Sequence, residues 1–305
     1  AFNALETAVN KVISEQAKDL MAMEPSQALA ELEKIADQLP IQRSRNLDKI
    51  NKQQFSTPPG LSYLVNKFAD IGRGDVVLEP SAGTGSLIAL AKGIGAEVHT
   101  NELDPKRREM LTSLGVDSVH QEDAQAINSL LDKAIKPDVV VMNPPFSQTA
   151  KAGKNLDAAG DHVKSALARL KDGGRLVAIV GEGMKPDAPR YKKFFDEVQD
   201  KYNLRANLGI SGKEYEKYGT TFGNRILVFD KNGKTDPAKL VTAENLSWKD
   251  VANKIEEVGG RESTTNLEQG TKDLQPDARK TLTADGSGVI GVRRGGAGAW
   301  CARSL

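Results

Sequence analysis

Between residues 53 and 232 the chain alternates two hydrophobic rhythms. Short apolar runs read as strands at Val76-Val77-Leu78, Glu97-Val98-His99-Thr100, Val139 to Met142, Arg175 to Val180 and Arg225 to Phe229. Helical spacing occupies the intervals, over Leu61 to Phe68, Leu87 to Gly93, Lys106 to Leu114 and Asp161 to Leu170. Strand and helix in regular alternation predict an α/β fold: a mostly parallel, doubly wound, Rossmann-like sheet with helices on both faces. In such sheets the ligand lies beyond the carboxyl ends of the strands.

The flanks differ. Residues 1–52 read as a helical N-terminal extension, with Leu5, Val9, Val12, Ile13 and Ala17 at helical spacing. Pro25-Ser26 opens a second amphipathic run through Leu29, Leu32, Ile35, Ala36 and Leu39, ended by Pro40. This region is expected to cap the domain or link it to a preceding one. Residues 233–305 lose the pattern. Leu246 to Val258 is expected to be one helix with Ser247 as N-cap. Past Gly259-Gly260 the chain is polar and glycine-rich, as expected of a disordered tail or linker.

A chain of 305 residues with 39% hydrophobic and 27% charged side chains has room for one large or two small globular domains. No apolar run is long enough to span a bilayer, and the first residues lack the pattern of a signal peptide. The start without Met is expected of a processed chain or a fragment. Cys301 is the single cysteine, which excludes a disulfide framework and a cysteine metal site and predicts a cytoplasmic, reducing location. His99, His120 and His162 do not cluster, so neither a metal centre nor a triad is expected, and His162 should face solvent or the sheet. The net charge of +1 offers no general attraction to nucleic acid. Any such attraction must come from local clusters such as Lys185, Arg190, Lys192, Lys193 and Lys213, Lys217, Arg225, and charge runs are more often plain solvated surface.

The chemistry concentrates at predicted strand ends. Val139 to Met142 runs into Asn143-Pro144-Pro145-Phe146. An amide oxygen and a backbone carbonyl can accept hydrogen bonds there, two prolines hold the backbone still, and an aromatic face can stack on a planar ring. The set suits a flat substrate with an exocyclic amino group, such as adenine, and a transferase acting on nitrogen. Upstream, Val76 to Leu87 is a strand, a glycine turn and a helix start, in which Gly83 and Gly85 let backbone approach a ligand. Dinucleotide-binding proteins share such a turn, but the third glycine of their register is missing here. Glu79 at the strand end suits an ammonium group, which favours S-adenosylmethionine over a nicotinamide cofactor. Glu102 ends the next strand, where a carboxylate can accept from ribose hydroxyls, while Asp104 starts the following helix. Asp123 follows the third strand, Ser118-Val119-His120, and can accept from an adenine amino group.

The order of Phe55-Ser56-Thr57-Pro58-Pro59, Glu79 to Gly85, Glu102, Asp123 and Asn143 to Phe146 resembles S-adenosylmethionine-dependent amino methyltransferases. More narrowly it resembles DNA adenine-N6 methyltransferases in which the cofactor motifs precede the catalytic one, and more remotely phage-type proteins that join such an enzyme to a helicase-like region. The resemblance spans about residues 53–230. It implies that Phe55 and Thr57 close over the methionine part of the cofactor, that Glu102 holds ribose, and that Asp123 holds the cofactor adenine. Ala82, Gly83, Gly85, Leu103, Ala124 and Asn143 complete the implied cofactor contacts. Asn143 and Pro144 would then accept both N–H bonds of a flipped adenine amino group, with Phe146 and Phe222 stacking on the base. DNA is the implied substrate, with RNA bases or protein glutamine as alternatives, and a non-catalytic cofactor-binding subunit as a different class. No metal is implied. No obvious target-recognition region follows residue 232, so specificity is expected to be low or to reside in a fused or separate specificity or helicase component.

Overall fold

A computed structural model of the chain describes residues 2–38, 57–145, 148–149, 154–155, 158–218 and 221–261. Phe55, Phe146 and the tail with Cys301 lie outside the described residues.

The expected sheet is present. Its strands β1 (Val76–Glu79), β2 (Glu97–Asn101), β3 (Ser118–His120), β4 (Val139–Met142), β7 (Arg175–Gly181), β8 (Asn203–Ile210), β9 (Asn224–Asp230) and β10 (Val241–Leu246) lie in the order β10-β8-β9-β7-β4-β1-β2-β3. Pairing is parallel except along β9, which runs antiparallel to β7 and β8. The short strands β5 (Gln148–Thr149) and β6 (Lys154–Asn155) pair separately.

Successive side chains on a strand point to opposite faces, and here each face is buried under helices. Val77, Val139, Val141, Val177, Ile226 and Val228 join one core, while Leu78, Val140, Met142, Leu176, Leu227 and Phe229 join the other. The first core also takes residues of α1 (Phe2–Glu15), α2 (Ala17–Ala22), α3 (Pro25–Ala36), α4 (Pro59–Ala69), α5 (Ala89–Ile94) and the short C-terminal helices α10 (Trp248–Ala252) and α11 (Ile255–Val258). The second takes residues of α7 (Ile127–Leu130), α8 (Ala158–Arg169) and α9 (Lys192–Gln199). The remaining helix, α6 (Pro105–Ser113), follows β2, with Pro105 at its first turn and Asp104 capping it from Oδ1 to the Lys106 and Arg107 amides.

Two strands of the main sheet escaped the reading of hydrophobic runs. In β8, Asn207 is buried but accepts from Arg225 Nε at 2.7 Å, and Arg205 reaches Asp230 at 3.3 Å. In β10 Glu244 pairs with Arg225 at 2.6 Å. Cross-strand polar pairs thus replace the apolar signal. The expected single helix from Leu246 to Val258 is corrected to the end of β10 followed by two short helices. Ser247 is an N-cap as expected, in a reciprocal capping box with Asp250. Arg225, expected in a surface basic cluster, is buried between these partners and leaves that cluster. His162 is buried in α8 and not at the solvent face.

At the other end of the sheet, Arg175 is fully buried and forks onto Asp230 at 2.6 and 2.9 Å. Its remaining donors reach the carbonyls of Phe68, Gly259 and Gly260, tying α4 and the 259–260 segment to the sheet. Arg175→Met is expected to cost about 3–5 kcal/mol, because Asp230 stays buried with only Arg205 beside it. Urea unfolding measures this; a loss below about 1 kcal/mol would show that Arg205 suffices for Asp230.

Candidate functional site

The chain order reverses between β4 and β1: from β1 the strands run outwards to β2 and β3, and from β4 to β7 on the other side. Strand ends diverge at such a point and leave a crevice. The glycine loop after β1 and Asn143 after β4 flank it.

Glu79 ends β1 at 2% exposure, and its Oε2 has no hydrogen-bond partner among the described residues. Burial, reinforced by the neighbouring Glu102, pushes its carboxyl well above the ordinary carboxylate range. A buried carboxylate without a donor is costly, and a cationic group placed against it removes the cost. The loop that follows turns through Gly83 at φ 58° and Gly85 at φ 86°, the left-handed region. A Cβ at Gly85 would also lie 2.6 Å from Leu114 Cδ1. Glu102, just past β2, braces this loop: its Oε2 accepts from the Gly83 amide at 2.8 Å and its Oε1 from the Asp104 amide at 2.8 Å. Each oxygen keeps a second acceptor position for a ligand hydroxyl. Asp123, after β3, accepts from the Gln125 amide at 2.9 Å and so caps a 3₁₀ turn that begins at Ala124. Leu103 stands 64% exposed beside Glu102, a free apolar surface.

Across the crevice, Asn143 and Pro144 each precede a proline, which favours extended backbone at both positions. Asn143 Nδ2 donates to Thr57 Oγ1 at 3.1 Å. Thr57 is buried and leads through Pro58-Pro59 into α4, so a residue 86 positions away sets the amide. With Nδ2 so engaged, Oδ1 is the acceptor that remains. Thr57 was expected beside the cofactor; the structure places its hydroxyl on Asn143.

Phe222 is 72% exposed. It stands just before β9, whose Asn224 is in register with Gly181 and Ile210, the ends of β7 and β8 on the crevice side. A Cβ at Gly212 would lie 1.9 Å from the Thr221 carbonyl, so the chain crosses itself tightly there and carries Phe222 outward. Tyr215 lies edge-on against Trp248, with ring centroids 6.2 Å apart, and burial pushes its hydroxyl up to about 12. It belongs to the core and not to the rim.

Sequence reasoning missed the residues that hold these parts together. Asn101 donates to the Pro80 and Glu122 carbonyls and accepts from the Glu122 amide, joining the ends of β1, β2 and β3. Ser62 Oγ and Asn66 Nδ2 bind the Ser86 and Leu87 carbonyls from α4. A polar residue inside the apolar spacing of Leu61 to Phe68 was the available signal.

Residues 58–204 match the family model of the methyltransferase small domain. No curated protein matches the sequence. Similar solved structures include a modification subunit assigned to a type I restriction enzyme from Vibrio vulnificus. It is 16% identical with a TM-score of 0.55, over 76% of this chain and 57% of that one. A Listeria monocytogenes protein assigned to the class I S-adenosylmethionine-dependent methyltransferases is 14% identical with a TM-score of 0.51, over 82% and 90%. DrdV, in a complex with DNA, is 13% identical with a TM-score of 0.53, over 76% and 31%. The chain therefore spans little more than half of the Vibrio subunit and about a third of DrdV. These likenesses show the fold. The family model, over residues 58–204, points to a methyltransferase domain.

Proposed function

We propose that this methyltransferase fold transfers a methyl group to the N6 amino nitrogen of adenine in DNA. The observation that carries this reading is the Asn143 amide, held by Thr57 so that Oδ1 is left as an acceptor at the mouth of the crevice. The residues on the opposite side fit S-adenosylmethionine. Glu79 offers a buried carboxyl whose Oε2 has no partner among the described residues, as an ammonium needs, Gly83 and Gly85 give a close backbone approach, and Glu102 keeps acceptor capacity for ribose. Asp123 and Leu103 would hold the cofactor adenine by its amino edge and its face. When bound, that cofactor supplies an electrophilic methyl on a sulfonium.

An adenine amino nitrogen is a poor nucleophile because its lone pair is delocalised into the ring. Asn143 Oδ1 and the Pro144 carbonyl would accept its two N–H bonds and favour tetrahedral geometry, freeing the lone pair for attack. An amide is no general base, so activation rests on positioning and electrostatics. A base within a duplex cannot reach this crevice, so the target must be extruded, with Phe146 and the exposed Phe222 as stacking surfaces. Specificity would come mainly from a fused or separate component.

Labelled methyl transfer to unmethylated duplex DNA, followed by nucleoside analysis, tests the reading. N6-methyladenine at loosely related sites is the expected product. Label found only in RNA or protein, or a strict multi-base site methylated by this chain alone, would overturn the corresponding part.

A further inference from the structure

The loop that fits the cofactor is held from a direction the sequence did not suggest. Thr84 sits between Gly83 and Gly85 and is almost fully buried. Its hydroxyl donates to Glu6 Oε2 at 2.8 Å, and its carbonyl accepts from Asn10 Nδ2 at 3.0 Å. Asn10 Nδ2 also lies 3.4 Å from Ser86 Oγ. Glu6 and Asn10 belong to α1, are 5% and 2% exposed, and stand one turn apart on the face turned to the loop. A second observation shows that this docking is built in. A Cβ on Gly93 of α5 would lie 2.0 Å from the Ser14 carbonyl and 2.4 Å from Ala17 Cβ. Glycine at 93 is thus a notch that lets the α1–α2 junction lie directly on α5, the helix that continues from the glycine loop.

Two left-handed glycines give the loop many alternative conformations, and a ligand that must select one loses affinity. We propose that Glu6 and Asn10 are positioning residues of the cofactor site: α1 fixes the Thr84 peptide and so preorganises the loop. The N-terminal helix then works as part of the cofactor-binding machinery and not only as a cap over the sheet. This rests on the reading of the crevice as an S-adenosylmethionine site.

Calorimetric binding of S-adenosylhomocysteine, with thermal melts of the same samples, tests it. Asn10→Asp keeps the shape, removes the donor and sets an oxygen against the Thr84 carbonyl. Thr84→Val removes the hydroxyl at the same shape. Each is expected to weaken binding about tenfold. Leu32→Ala, in the core contact of α3 away from the loop, is the destabilised control, expected to lower the melting temperature without weakening binding. Hydrogen exchange at the Gly85 and Leu87 amides should rise in N10D and not in L32A. Wild-type affinity in both N10D and T84V, or equal weakening in L32A, would overturn the positioning role while leaving the cofactor site standing. A wild-type chain that binds no S-adenosylhomocysteine would overturn both.

Discussion

Asn143→Ala is expected to lower methyl transfer by about 10²–10³-fold, or below detection, while S-adenosylhomocysteine affinity changes by less than about twofold. The asymmetry follows from the geometry. Asn143 stands at the end of β4, across the crevice from Glu79, Glu102 and the glycine loop, and its one side-chain bond among the described residues is the 3.1 Å contact to Thr57. On the proposed reading, truncation would remove the acceptor that the methyl-accepting nitrogen needs as it becomes tetrahedral and would leave the carboxylates proposed to face the cofactor in place. The fold should tolerate it, since Asn143 is only partly buried and Thr57 is the one partner left to find water or another group. Single-turnover rates at saturating cofactor, paired with calorimetry, separate the effects. A cofactor affinity that collapses at unchanged melting temperature would place Asn143 on the wrong side of the crevice.

How much of this molecule is legible in its sequence depends on whether a residue's role shows in its near neighbours. Strands β1, β4, β7 and β9 announce themselves because both faces of a doubly covered strand must be apolar. Glycine at a left-handed turn and an acid at a strand end are equally visible, since few other residues do those jobs. Polar burial is not visible. Arg225 reads as part of a surface cluster and Asn207 gives no signal at all, yet each supplies a hydrogen bond that lets the other be buried. Glu6 and Asn10 look like the solvated side of an amphipathic helix until Thr84 is placed against them. In each case the partner is far away in the chain, and periodicity carries no information about it. The Thr57 contact has the same character: the motif is readable, but its bond to Asn143 depends on how α4 meets the end of β4.

Glu79→Gln is the second large effect, and it should move stability and binding in opposite directions. In the fold the carboxyl of Glu79 is held well above its usual value of 4.5, by burial first and by Glu102 second. A raised value means that the folded state favours the protonated form. Glu79 therefore supports the fold fully below the unfolded value, and that support is lost as the pH rises through the folded one. Glutamine resembles the protonated acid at every pH. E79Q should thus melt close to wild type near about pH 5 and above it near about pH 8, where the wild-type chain must either bury a charge or hold a proton. Binding runs the other way. An ammonium brought against Glu79 favours the carboxylate, so S-adenosylmethionine binding by wild type should release a proton and tighten as the pH approaches the raised value. E79Q loses the charge-assisted bond, worth about 1.5–3 kcal/mol, so affinity should fall about 10- to 100-fold and lose its pH dependence. Calorimetry in two buffers of different ionisation enthalpy reads the proton, and melts at the two pH values read the stability. Unchanged affinity in E79Q would remove Glu79 from the ligand. A variant no more stable than wild type near about pH 8 would mean that the buried carboxylate already has its counter-charge within the protein, and that the crevice is not waiting for a cation.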